Sequence, residues 1–173
     1  MLTFEKIGAH NISRVPEPCR FCLYWQTCGE LSPKISKDEM ENVKLKWFGE
    51  LEETFGNCAK IAFVNSVPLG FMQYAPAKYF PRINDYASGP PSRDAVFLAC
   101  LYIISKDHRG KGYGKIMLKN LLEDLKGRGF GAVETFARVD SENNPSGPLN
   151  FYLKHGFKVV RQKDDFPLIR LKL

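Results

Sequence analysis

The sequence predicts one α/β domain built on a mixed central sheet with helices on its faces. Three observations carry that reading. Strand-length apolar runs alternate with helical patterns along the whole chain. One run, Ala95–Ile104, is apolar throughout, as a strand buried on both faces must be. A glycine-rich turn and an amphipathic helix follow it directly. The 173 residues suit a single hydrophobic core, so residues 1–173 are read as one domain with no need of metal or disulfide staples.

Leu2-Thr3-Phe4-Glu5-Lys6-Ile7 alternates apolar and polar, which suits a first strand with one buried face. Residues 14–33 hold Pro16, Pro18, Pro33 and three cysteines and read as irregular. Ser36-Lys37-Asp38-Glu39 has the form of a capping box, with Met40, Val43, Trp47, Leu51 and Phe55 following at helical spacing and Gly56 as the stop. Ala59–Val64 and Pro68–Tyr74, split by Asn65-Ser66-Val67, read as a hairpin. Residues 75–94 form a long loop containing Pro76, Pro81, Pro90 and Pro91, either a cover over a binding site or a tolerated surface insertion. Tyr113, Ile116, Met117, Leu121, Leu122 and Leu125 mark one face of the next helix, which Gly127 and Gly129 end. Ala132–Val139 is a further strand, Pro148–His155 a short helix, and Phe157–Val160 and Leu168–Leu173 the closing strands.

Composition narrows the function classes. With 44% hydrophobic and 25% charged residues the chain is a folded globular protein rather than a disordered one. No apolar run approaches the roughly 18–20 residues that span a bilayer, so no membrane partner is expected. Residues Met1–Lys6 lack the layout of an export signal, and five cysteines cannot all pair, so a reducing cytoplasm is the expected location. The net charge of +6 favours anionic partners. Nucleic acid is not the expected one, because no basic strip carries interleaved aromatics.

The segment richest in chemical information is Arg109-Gly110-Lys111-Gly112-Tyr113-Gly114-Lys115. Glycines admit positive φ and let a ligand approach the backbone, and a helix N-terminus offers unpaired N–H groups at its positive end. Phosphate oxygens suit both, with Arg109, Lys111 and Lys115 adding charge. A Walker A loop fails here because Arg109 stands where its first glycine belongs and Ile116 replaces its hydroxyl residue. A dinucleotide fingerprint fails because Lys115 replaces its third glycine.

What remains, Arg109-x-x-Gly112-x-Gly114, resembles the acetyl-coenzyme A motif of the GNAT N-acetyltransferase superfamily. Asn144 through Phe157, with Tyr152 followed by Gly156 and Phe157, is similar to the C-terminal motif of that family. The resemblance implies the GNAT acyl-CoA acyltransferase fold and acetyl transfer from acetyl-CoA to a primary amine of a small-molecule or peptidyl acceptor, directly through a tetrahedral intermediate. Carried over by position, it puts the pantetheine arm of acetyl-CoA along Tyr102, Ile103 and Ile104. The pyrophosphate falls on Arg109, Gly110, Lys111, Gly112, Tyr113, Gly114 and Lys115, with Asn144 as a further contact. Amides and the helix dipole take the place of magnesium, so no metal is expected. Backbone N–H groups of residues 102–104 would face the oxyanion, and Tyr152 would protonate the leaving thiolate.

No general base is assigned. Alignment on Gly131 puts Arg138 where some family members carry a glutamate, with Glu134 and Asp140 nearby, and a water chain or an acceptor already neutral would serve. Cys22 and Trp25 stand where the acceptor pocket is often built in the family. Cys19, Cys22 and Cys28 could be cavity-lining thiols, a redox pair or part of a zinc site, though the spacing supplies no second ligand pair. An inactive CoA-binding regulatory module is the alternative function, and a homodimer is one assembly open to the chain.

Overall fold

The computed structural model describes residues 1–28, 35–141 and 144–173, so Pro33 and the last part of the 14–33 segment lie outside the described residues. The described strands are β1 (Leu2–Ile7), β2 (Ala59–Val64), β3 (Val67–Pro76), β4 (Val96–Ile103), β5 (Ala132–Phe136), β6 (Lys158–Arg161) and β7 (Leu168–Lys172). They form one seven-stranded sheet in the order β1-β2-β3-β4-β5-β7-β6. Every neighbouring pair is antiparallel except β4 with β5. The helices are α1 (Lys37–Thr54), α2 (Tyr113–Gly127) and α3 (Leu149–Leu153).

The local signals act as their chemistry requires. Ser36 caps α1: its hydroxyl accepts from the Glu39 N–H while the Glu39 carboxylate accepts from the Ser36 N–H, at 3.2 and 2.7 Å. Asn65 and Ser66 both take positive φ, 49° and 65°, as a two-residue hairpin turn that follows strand twist demands.

Strand alternation sends side chains into two cores. On one face Trp47, Phe48 and Leu51 of α1 pack with Ile61, Phe71 and Phe97. On the other Met117, Leu118, Leu121 and Leu125 of α2 pack with Met72, Leu98 and Tyr152. Two residues expected inside are outside: Val43 is 42% exposed and Ile116 45%. The buried stripe of α1 runs instead through Lys44, Trp47, Phe48 and Leu51, and that of α2 through Met117, Leu118, Leu121 and Leu125. On α1 Lys44 takes the core position expected of Val43, while Trp47 and Leu51 are buried as expected.

The 75–94 loop is packed down. Phe80 and Ser88 are fully buried, the Trp47 indole donates to the Tyr79 carbonyl at 2.8 Å, and Arg161 donates to the Ser88 and Gly89 carbonyls at 3.1 and 2.8 Å. The Tyr86 ring stacks on Phe136 with centroids 4.3 Å apart.

Beyond Phe136 the expected strand through Val139 changes partners. The Ala137 N–H donates to the Pro167 carbonyl and the Arg138 N–H to the Gly147 carbonyl, at 3.2 Å each.

Glu134 is fully buried in β5, where it accepts from the Ser92 N–H at 2.6 Å and from Arg170 at 2.8 Å. It faces neither cavity described below, and its ion pair joins β5, β7 and the loop before β4. Removing one partner strands a buried charge. Arg170→Met should therefore lower unfolding free energy by about 3 kcal/mol in urea denaturation, with Glu134→Gln in the same chain restoring part of the loss.

Candidate active site

The site begins where β4 and β5 part. They pair at Val96 with Val133 and Phe97 with Glu134, and no further. The Thr135 hydroxyl donates to the Leu98 carbonyl at 2.7 Å, and the strand register slips at Ala99 against β3. From Cys100 to Ile103 the strand is only half-buried, in contrast to the continuous burial expected of Ala95–Ile104. Residues 144–148 enter the gap: the Leu101 N–H donates to the Pro145 carbonyl at 3.1 Å, and Asn144 and Ser146 donate to the Phe136 carbonyl.

Two cavities open from this gap. One, of about 590 Å³, runs over Ile103, the glycine turn and the start of α3, with Gly110, Gly112, Gly114 and Lys115 in its wall. The other, of about 720 Å³, lies on the α1 side and is walled by Trp25, Tyr86, Lys44 and Cys22 among others. Tyr102, Arg109 and Asn144 line both, so the cavities meet at the end of β4.

The first cavity fits a phosphate-bearing ligand. Gly110 and Gly112 have φ of +71° and +82°, and a Cβ built on either meets nothing within 4 Å. Gly112 caps α2 without a side chain, so the first-turn amides of that helix are left without intrahelical partners. Arg109, Lys115 and Lys154 border the space, and among the described residues no Asp or Glu does.

Of the residues expected to bind the cofactor, Tyr102, Ile103, Arg109, Gly110, Gly112, Gly114, Lys115 and Asn144 line this cavity, whereas Ile104, Lys111 and Tyr113 do not. The Ile104 N–H turns the other way and donates to the Leu69 carbonyl at 2.9 Å. Lys111 is exposed, and Tyr113 lies beside the His108 ring with centroids 6.0 Å apart. The Ile103 carbonyl accepts from Arg109 at 3.2 Å, which leaves the Ile103 N–H directed to the same open side. Asn144 commits its amide nitrogen to the Phe136 carbonyl at 2.9 Å, the Ser146 hydroxyl and the Gly147 carbonyl, so it shapes the wall.

Tyr152 lines neither cavity. Its ring is fully buried against Phe151 and Phe157, and its hydroxyl donates to the carbonyl of Ser146, which is itself in the cofactor-side wall. Burial raises its pKa, so it holds its proton at neutral pH.

Cys22 and Trp25 do line the second cavity. The irregular N-terminal segment reaches it through long-range ties: Arg20 forks onto Glu41 at 2.9 Å, Arg82 donates to the Tyr24 carbonyl at 2.9 Å, and the Tyr24 and Tyr86 hydroxyls meet at 2.9 Å. Cys19 and, from the 75–94 loop, Tyr86 are also in its wall; Lys44, Gln73 and Cys100 join them, and sequence reasoning missed these three because contacts across tens of residues put them there. Among the described residues, no three of His, Cys, Asp and Glu gather as a metal-binding group. No helix of these residues is long and apolar enough to cross a membrane.

The glycine turn at the foot of a parted strand pair, with a cavity on either side, is the architecture of an acyl-CoA acyltransferase. The chain belongs to the GNAT acetyltransferase family: the model of the acetyltransferase (GNAT) family matches residues 21–157. Among curated proteins no sequence matches significantly. Solved structures with the same fold include the PaiA N-acetyltransferase of Thermoplasma acidophilum in complex with coenzyme A, at 17% identity and TM-score 0.63 over 100% of this chain and 99% of that one. The ribosomal-protein-S18-alanine N-acetyltransferase of Escherichia coli matches at 14% identity and TM-score 0.59, over 99% and 94%. Salmonella typhimurium yncA, solved with its cofactor acetyl-CoA, matches at 17% and 0.60, over 100% and 94%.

Burial pushes the Cys19 thiol up to about 11 and the Cys58 thiol up to about 12, so both stay protonated near neutral pH. Cys22 and Cys28 are exposed. Maleimide at pH 7.5 should modify Cys22 and Cys28 and spare Cys19 and Cys58, as read by peptide mass spectrometry.

Proposed function

We propose that this protein transfers an acetyl group from acetyl-CoA to a primary amine seated in the larger, aromatic-walled cavity. The observation that carries the reading is the meeting of the two cavities at Tyr102, Arg109 and Asn144. Gly110, Gly112 and the first-turn amides of α2 would hold the pyrophosphate, with Arg109, Lys115 and Lys154 balancing its charge. When bound there, acetyl-CoA supplies an activated acyl group.

The residues of the chain position and polarise. The Ile103 N–H is the open donor for the acetyl oxygen, since those of Leu101 and Ile104 are taken by Pro145 and Leu69. An amine must reach the reaction neutral, because its ordinary pKa near 10.4 keeps it protonated. Among the described residues no carboxylate lines the acceptor cavity, and Glu134 is committed to Arg170, so water takes that proton or the amine arrives without it. Protonation of the leaving thiolate is assigned to Tyr152 on the family resemblance; to perform it, the hydroxyl must exchange the Ser146 carbonyl for the sulfur.

A thiol-release assay with acetyl-CoA across amines, amino acids and peptides tests the reading. Tight CoA binding without turnover on any acceptor would instead mark a CoA-binding module. Gly112→Val places a branched side chain at positive φ over the cradle and should weaken CoA binding by about tenfold or more, by calorimetry. Tyr152→Phe should lower turnover by about a hundredfold while CoA affinity stays within about twofold. Undiminished turnover would make the bond to Ser146 purely structural.

A further inference from the structure

The acceptor cavity has two chemical sides. Tyr24, Trp25, Phe71, Tyr86, Tyr102 and Phe166 supply aromatic surface. Lys44, Lys106 and Arg109 supply positive charge, and among the described residues no Asp or Glu lines the space. A cavity shaped for a bare ammonium would place like charges together, which opposes binding.

Lys44 is the least expected of these groups. It projects from the core face of α1, is 1% exposed, and lays its ammonium 5.3 Å from the centroid of the Phe71 ring. Its Nζ donates to the carbonyls of Cys19 and Cys22, the latter at 3.0 Å. An ammonium has three donors, so one remains. No carboxylate among the described residues pairs with it, and burial lowers its pKa, so what holds the charge in place is the pair of carbonyls and the Phe71 ring. A buried cation without a counter-ion is costly unless a ligand completes it.

The other unsatisfied polar atoms of this wall have the same sense. Among the described residues the amide nitrogen of Gln26 is buried without a hydrogen-bond partner and the indole N–H of Trp25 has only the Cys100 sulfur, a weak acceptor, and both residues line the cavity. Both are donors that want acceptor oxygens.

We infer that the acceptor carries a carboxylate besides its amine, on an aromatic or similarly apolar body, and that Lys44 is the residue that recognises the carboxylate. The aromatic rings hold the body, and the amine end lies toward Tyr102 and Asn144, where the two cavities join. A cavity of about 720 Å³ accommodates a molecule the size of an aromatic amino acid. This inference rests on the proposed use of the cavity as the acceptor site.

The test compares two ligands with the same apolar body, hydrocinnamate and phenylpropylamine, by calorimetry on the CoA-loaded protein. The carboxylate should bind about tenfold or more tightly than the amine, and Lys44→Met should abolish the difference while leaving CoA affinity near that of the parent. If Lys44→Met does not fold, the unaltered protein provides the second measurement: hydrocinnamate, and not phenylpropylamine, should protect Cys22 from maleimide. Equal or tighter binding of the amine, no binding of either, or an undiminished preference in a folded Lys44→Met protein overturns the inference. Turnover separates it from the broader proposal. Acetylation of phenethylamine as efficient as that of phenylalanine overturns the carboxylate reading and leaves acetyl transfer standing. A carboxylate preference in binding without any thiol release does the reverse.

Discussion

The parting of β4 from β5 after two paired residues is the constraint on which the rest depends. Parallel strands that stayed paired would bury the backbone of Cys100–Ile103 and close both cavities. Exposed strand edges are costly unless their polar groups find partners. Here the partners are supplied piecemeal: Thr135 for the Leu98 carbonyl, Asn144 and Ser146 for that of Phe136, Pro145 for the Leu101 N–H, and Arg109 for the Ile103 carbonyl. The Ile103 N–H is turned to the open side without such a partner among the described residues, and it lies beside the place where the cavities meet.

Strand alternation then assigns each half of β4 its work. Leu101 and Ile103 face the side of α2, while Cys100 and Tyr102 face the side of α1. A single strand therefore contributes to two walls with opposite demands, an anion cradle built from backbone and a pocket built from side chains. The cradle needs only glycine, a helix end and cations. The pocket needs rings brought from the N-terminal segment and the loop before β4, where Trp25 stacks on Tyr86 at 5.4 Å and Tyr86 on Phe136.

That difference explains what could be read from the residues alone. The cradle was legible because its determinants are local: glycines at fixed offsets, an apolar run before them and a periodic helix after. Strand limits came close for the same reason, and the capping box of Ser36 and Glu39 is a four-residue device. The pocket was legible only in part, at Cys19, Cys22 and Trp25 and in the 75–94 loop that supplies Tyr86. Lys44 was invisible because hydrophobic periodicity treats a lysine as solvent-facing, so the stripe of α1 was drawn through Val43 instead. Tyr152 shows the converse limit, since a residue can stand at the family position while its hydroxyl is occupied by a neighbouring carbonyl.

The left-handed glycines at 110 and 112 have a bearing on affinity as well as on shape. A loop that had to be drawn into that conformation by its ligand would give up part of the interaction energy to lost chain entropy. In this chain the turn already has its concave form, fixed by the start of α2 and by the Arg109 side chain reaching back to Ile103. Ordering is thus completed when the polypeptide folds, and a phosphate bound at the turn would keep that part of its interaction energy.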